Sequence, residues 1–387
     1  MSEKSTWNDN NDAANSQNGV PSLSFHRRRR HWRCKFARDR YNAVYSQFKS
    51  KFPIKGVEIM ENGAEENKKH LSRKEFLRLS ASAAAAVTFG SMINLPFAEA
   101  AEGPASDDIV NSLLHGAIDT HIHGGPDVIQ RTWSDLDIAK SAKAAGFKAV
   151  IVKCHVTATT SRAILVQQAV GQDIRVFGGF ALNKAEGGLN PEGVETELNI
   201  GAKEIWLPTF WSESHIKLLK AKPADAVRLT DDKGAFRPEL YEIFDLIAKK
   251  DAILGTGHTT PEEMEKFIPI AKARGIKKIL ITHPEWVLPD MSIDVQKRLA
   301  RQGVFFERCA QSLFPPPNRH ITPEDYIRQI RATGVECSTL ATDLGQPYNP
   351  APVEGMRHYI RTLLTYGITP KEIDIMVRKN PAELLGV

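Results

Sequence analysis

The chain has 387 residues, 42% of them hydrophobic and 25% charged, a balance typical of a folded soluble protein rather than a disordered one. Its formal net charge of +5 is unevenly spread: residues 1–100 hold 17 Lys+Arg against 10 Asp+Glu, leaving 34 against 36 for the other 287. The body is therefore nearly neutral and exerts no general electrostatic pull on nucleic acid.

Residues 1–71 read as a basic extension expected to be disordered; residues 1–60 carry no hydrophobic period, and with Met60 as the true start the first 59 would not belong to the protein. Its run SFHRRRRHWRCKFARDR interleaves aromatics with arginines, as segments that bind nucleic acid or anionic lipid do, although a solvated tail has the same composition. Residues 72–100 look like an export signal: the flank SRKEFLRL, an Ala-rich apolar stretch, then Ala98-Glu99-Ala100 as a cleavage site. That stretch is too short and weak for a span of about 20 apolar residues, so no stable membrane span is expected. The flank is similar to the twin-arginine signal, with Arg73-Lys74 where that motif has two arginines. Use of this signal would place the protein in the periplasm, and its absence in the cytoplasm.

From Ala101 to Val387, short apolar runs alternate with longer helical patterns. The expected strands are 117–123, 148–155, 174–182, 202–208, 251–258, 276–283, 303–309 and 335–343. Helix punctuation lies between them. Ser134 caps a helix that stops at Gly146, and Asn190-Pro191 opens one that stops at Gly201. Thr260-Pro261-Glu262-Glu263 starts a third ending at Gly275, and Thr322-Pro323-Glu324-Asp325 a fourth ending at Gly334. Strand then helix, eight times over, predicts an α/β fold of the (β/α)8 TIM-barrel class, with an open doubly wound sheet as the alternative. Of four cysteines, Cys154, Cys309 and Cys337 fall in apolar runs and read as small buried hydrophobes. No CxxC or CxxH pair points to a cysteine-built zinc site.

Barrel active sites lie at the carboxyl ends of the strands. Strand one ends in IDTHIHGGPD, where alternation puts Asp119, His121 and His123 on one face. Strand two ends at Lys153 and His155, strand five at His258, strand six at His283 and strand eight at Asp343. Imidazoles and a carboxylate at one barrel height predict a metal centre.

The constellation resembles the amidohydrolase superfamily, which carries HxH after strand one, single histidines after strands five and six, and an aspartate after strand eight. The carriers are IDTHIHGGPD, LGTGHTTPEE, LITHPEW and LATDLGQP, and KNPAELLGV is similar to the terminal NPA element of many members. The phrases VKCHVTATT, FGGFALNKAEGGLNPEGVE and GAKEIWLPT are similar to an amidohydrolase-related branch of unknown function. The resemblance implies His121, His123 and Asp343 as ligands of a first metal, with His258 and His283 holding a second or orienting substrate. The metal would be divalent, Zn²⁺ first, with Mn or Fe as substitutes, as one ion or two. Asp343 would shuttle the proton of the attacking water, with His283 and Lys153 as further catalytic groups.

The bridging lysine or glutamate that many two-metal members carry after strand four is missing, since strand four ends in Pro208-Thr209. Lys153 is the substitute, carboxylated or as a point charge for a substrate carboxylate, and Glu307 is a second, unless it merely pairs with Arg308. His155, Arg131 and Trp206 are candidate substrate contacts, with Phe210 and Trp211 crowding the same rim. The GGLNPEG element supplies either an anion-holding helix start or a plain cap. The expected activity is metal-dependent hydrolysis of an amide, lactone or ester in a small carboxylate-bearing molecule. A decarboxylase, or a noncatalytic binding barrel, is the alternative. The expected partner is the small-molecule substrate, with no nucleic acid at the barrel, and a homo-oligomer is compatible with the sequence.

Overall fold

The computed structural model describes residues 106–314 and 321–387. The basic extension and the export-like segment lie outside the described residues.

Nine short parallel strands make the eight staves of a barrel. They are β1 (Ile118–His123), β2 (Ala149–Lys153), β3 (Arg175–Phe177), β4 (Gly179–Ala181), β5 (Glu204–Trp206), β6 (Ile253–Gly255), β7 (Ile279–Thr282), β8 (Phe305–Cys309) and β9 (Ser338–Ala341). β1 to β3 form one ladder and β4 to β9 a second. The barrel closes past the end of β9, where Asp343 N donates to His121 O at 2.7 Å and His123 N donates to Leu344 O at 2.8 Å. Runs such as AVIVK in β2 and ILIT in β7 are buried along their whole length, as strands covered on both faces must be.

Two expected strands differ in detail. The stave expected at 174–182 breaks at Gly178, whose Cβ, if present, would stand 2.4 Å from Thr159 O. The Thr159 hydroxyl fills the gap, donating to Val152 O at 2.7 Å and accepting from Gly179 N at 2.9 Å. The last stave starts at Ser338 rather than Val335, because Val335–Cys337 is a 3₁₀ turn. Asn380 clamps that turn, donating to Val335 O at 2.8 Å and Ser338 O at 2.6 Å. Cys337 is therefore a half-buried turn residue rather than a strand residue.

The outer layer comprises α1 (Asp107–Leu114), α2 (Asp135–Ala144), α3 (Thr160–Val170), α4 (Pro191–Ile200), α5 (Glu213–Leu218), α6 (Pro238–Lys249), α7 (Pro261–Ala273), α8 (Ile293–Ala300), α9 (Pro323–Thr333), α10 (Pro352–Thr365), α11 (Pro370–Asp374) and α12 (Asn380–Leu385). The expected caps are in place: Ser134 and Thr260 close reciprocal capping boxes, Asn190 accepts from Gly193 N, and Thr322 accepts from Asp325 N. Helix and strand faces bury two apolar cores outside the barrel, one around β1, β2 and α10 and one around β5, β6, α6 and α7. A third cluster fills the barrel itself, where Leu384 and Leu385 of α12 join Ile118, Ile151 and Leu280. The NPA element thus pins the last stave and delivers a leucine plug. Among the described residues no helix is long and apolar enough to cross a membrane.

Candidate active site

The pairing of β1 with β2 slips between Asp119 and Ile122, so three steps along β1 match two along β2. Strict alternation therefore fails at the motif, and Asp119 does not share the role of the histidines. Its carboxylate accepts from Thr342 Oγ1 at 2.6 Å and Thr342 N at 3.0 Å, locking β1 to the chain beyond β9. Burial pushes its pKa up to about 7, against those hydrogen bonds. His121 and His123 both reach Asp343: Oδ1 lies 3.2 Å from His121 Nε2 and 3.0 Å from His123 Nε2. These three atoms are the convergent point of the site.

Close backbone approach makes that convergence possible. Gly345 lies at φ +129° and a Cβ there would stand 1.7 Å from His123 O, so the DLG turn can press against β1 only as glycine. Gly257, at φ +60°, leaves no room for a Cβ, which would meet Leu207 O at 2.2 Å, and this turn aims His258 inward. Asp343 and His283 themselves have positive φ, +52° and +29°. Two non-glycine residues in that region, both at one site, mark backbone held in place for side-chain direction.

The remaining histidines form a wall beside this point. The His283 ring stacks at 6.0 Å from His121 and lies tilted at 5.0 Å from His258, between centroids, and its Nδ1 is buried without a partner. His155 packs on His123 at 4.7 Å and on the Phe210 ring at 3.8 Å. Thr209 Oγ1 holds His155 Nδ1 at 2.8 Å, and Asn183 ties the whole rim by donating to His155 O and Thr209 Oγ1 while accepting from Thr209 N and Trp211 N. His215, on α5, completes the wall, with its ring 5.0 Å from His258.

A polar layer lies inside the barrel. Glu307 accepts from Thr120 Oγ1 at 2.7 Å and meets His121 Nδ1 at 2.8 Å. Lys153 Nζ lies 3.1 Å from His121 Nε2 and 4.9 Å from the centre of the Trp206 ring. Lys153 and Trp206 are both fully buried and are not among the residues that line the cavity. Glu204, two residues before Trp206, is buried with neither carboxylate oxygen partnered. Arg308 does not pair with Glu307; it turns to the opposite face and binds Glu285 and Gln296. Cys309 Sγ lies 3.9 Å from His121 Nδ1, and the donor atoms of His121, Cys309 and Asp343 fall within 4.8 Å of one another. The His121 and Asp343 atoms of that set fit a divalent cation, as does the orphaned nitrogen of His283, whereas the buried thiol keeps its proton.

Burial governs the protonation of these groups. It pulls His121, His283 and His215 down to about 3 and holds His123, His155 and His258 well below the usual imidazole range. It pushes Glu307 up to about 8 and the Cys309 thiol well above its ordinary value, and it lowers Lys153. Metal ligands must be free of protons, so neutral imidazoles suit the purpose without further cost near neutral pH.

A cavity of about 90 Å³ opens above the convergent atoms, lined by five of the histidines with Asp343, Phe210, Trp286, Tyr348, Arg131 and Gln311 among its walls, and His215 as a sixth. Arg131 donates to Asp127 at 2.9 Å and its Nη2 lies 3.3 Å from His123 Nδ1. Trp133 is on the exposed surface. Asn190 serves as an ordinary helix cap. The structure thus brings His121, His123, His155, His258, His283, Asp343 and Arg131 to one cavity. Sequence reading passed over His215, Trp286, Gln311 and Asn183. His215 lies inside a helix within a long connection, where no strand-end position marks it; Asn183 follows a stave directly and carried that signal.

Residues 116–307 match the model of a family of unknown function, DUF6282. No curated protein matches the sequence. Among solved structures, the chain is similar to the probable dipeptidase PvdM from Pseudomonas aeruginosa, with 10% identity over 72% of this chain and 97% of that one and a TM-score of 0.50. An amidohydrolase from the same organism gives 12% identity over 73% and 98% of the two chains, with a TM-score of 0.49. A 2,6-dihydroxybenzoate decarboxylase from Rhizobium gives 12% over 70% and 99%, with a TM-score of 0.43. The likeness to the PvdM structure is one of fold, and the strands form the parallel α/β barrel expected from the sequence.

Proposed function

We propose that this chain is a metal-dependent hydrolase that cleaves an amide, lactone or ester bond in a small carboxylate-bearing molecule. The observation that carries the reading is the approach of His121 Nε2 and His123 Nε2 to one oxygen of Asp343 beneath a cavity. His121, His123 and Asp343 would hold a divalent cation, with His258 and His283 on the facing wall for a second ion or for substrate. Such a cation, Zn²⁺ in the first instance, supplies Lewis acidity and makes a water more acidic.

The chain's own residues do the rest. The Asp343 carboxylate accepts the proton of the attacking water and returns it to the leaving group. Arg131, held by Asp127, meets a substrate carboxylate, and Phe210, Trp286 and Tyr348 enclose its apolar part. His155, held by Thr209, closes the side next to His123. Glu307 keeps the His121 ring turned so that Nε2 faces Asp343. Lys153, beside His121, would add a metal ligand if carboxylated and a buried charge if not.

The test is elemental analysis of the purified full chain, followed by a screen of amides, lactones, esters and aromatic acids. His121→Ala with His123→Ala should lose both metal and turnover while the barrel stays folded. Full metal occupancy in that double variant would refute the ligand assignment. Release of CO₂ from an aromatic acid would replace hydrolysis by decarboxylation on the same residues.

A further inference from the structure

The contact between His215 and His258 is the feature of the site that the proposed hydrolytic chemistry leaves unused. Both rings are buried, their planes lie within 15° of each other with centroids 5.0 Å apart, and they meet edge to edge with their Nδ1 atoms 2.8 Å from each other. At that distance the two nitrogens share one hydrogen, because two would collide and none would leave two lone pairs opposed. The helix that brings His215 there is fastened to the same stave end. Ser212 caps α5 by accepting from His215 N at 3.1 Å, and Ser214 Oγ donates to His258 O. His215 is therefore delivered to one edge of His258 by a capped helix that the Ser214 bond ties to the same stave end.

The direction of the shared hydrogen bond has consequences. The Nδ1 edge of His258 is occupied by His215, so Nε2 is the nitrogen left to serve a cation. A ligating imidazole donates its other N–H to an acceptor, which fixes its tautomer and ring orientation. At His121 the corresponding Nδ1 partner is Glu307. We propose that His215 is the equivalent positioning residue for His258: its Nδ1 accepts the His258 Nδ1–H and leaves His258 Nε2 bare for a divalent cation. The same accounting puts the hydrogen of His215 on Nε2, on a ring that lines the cavity. This role rests on the metal reading above.

The experiment uses the full chain labelled with ¹⁵N-histidine, in which two-bond ¹H–¹⁵N correlation reads each ring's tautomer, together with Zn²⁺ affinity measured by chelator competition. The expected result is Nδ1–H at His258 and Nε2–H at His215. His215→Phe retains an aromatic ring without an acceptor and should weaken Zn²⁺ binding about 10- to 100-fold. His215→Asn places an amide oxygen where Nδ1 stood and should bind Zn²⁺ within about threefold of the parent, a rescue that a purely packing role would not give. Nε2–H at His258, parent-like Zn²⁺ binding by the Phe variant, or an Asn variant as weak as the Phe variant would each overturn the role of His215. A parent chain that takes up none of Zn²⁺, Mn²⁺ and Fe²⁺ would overturn the metal reading and this role together, which separates the two failures.

Discussion

Glu307 and Arg308 are neighbours on β8 that face opposite sides of the barrel wall. Glu307 stands inside, 2.8 Å from His121 Nδ1, while Arg308 stands outside and binds Glu285, two residues beyond His283. Period-two alternation thus lets one strand hold two candidate ligands by two unrelated contacts, one through a side chain and one through a loop.

The inner contact should act on metal affinity. Glu307→Gln keeps the size of the side chain but weakens the acceptor at His121 Nδ1. Metal affinity should fall about 10- to 100-fold with the fold retained, measured by chelator competition and circular dichroism. Unchanged affinity would remove Glu307 from the ligand-orienting role.

On the outer face, the same strand should act on stability. Arg308→Met leaves the Glu285 carboxylate buried without its partner, and breaking a buried pair from one side costs about 3–5 kcal/mol. Burial already raises the pKa of Glu285, with Arg308 opposing it, so removal of the arginine strands the carboxylate further. Urea unfolding measures the loss, and Arg308→Met with Glu285→Leu should recover much of it.

At Asp343 the expected effect is on turnover rather than on metal. With a substrate in hand, Asp343→Asn should lower kcat about 10²- to 10⁴-fold while much of the metal stays with the histidines, since an amide cannot take the water's proton. Metal content and kcat are measured on one preparation. A variant that retains metal and turns over at the parental rate would show that another group moves the proton.

Acid acts on the metal-free protein in two opposed ways. His121, His215 and His283 fall to about 3 in the folded state against an unfolded value of 6.5, and three more imidazoles shift the same way. Between those values the unfolded chain binds more protons, so their contribution to stability falls as pH falls below about 6.5. Asp119 and Glu186 at about 7 and Glu307 at about 8 act in the opposite sense, as do Glu204, Asp135, Glu263 and Glu285, because their folded carboxyls keep protons that the unfolded chain releases. The two sets oppose each other, so removing one carboxyl exposes the histidine contribution. Glu307→Gln should make the metal-free protein lose stability more steeply than the parent between pH 7 and pH 5, by about 1.4 kcal/mol per pH unit, read from urea unfolding. Parallel profiles for the two proteins would show that Glu307 holds no extra proton in the folded state.

The sequence by itself determined the eight staves, the capped helices between them and the strand-end residues His121, His123, His155, His258, His283 and Asp343. Those features are local. Apolar runs, Ser and Thr caps, and glycine stops act within a few residues, and the barrel's geometry places every strand end on one rim. Only the tertiary structure decided the rest. The bulge in β1 turned Asp119 into a clamp on Thr342, because pairing with β2 and closure against the chain beyond β9 cannot both be met by an unbroken alternation. Glu307 was assigned to His121 rather than to Arg308, and Lys153 and Trp206 were placed under the cavity instead of on its wall, by how deeply each stave projects its side chains. His215 entered the site from a helix 43 residues before His258, a meeting that depends on where a long connection folds back and that no nearby residue announces.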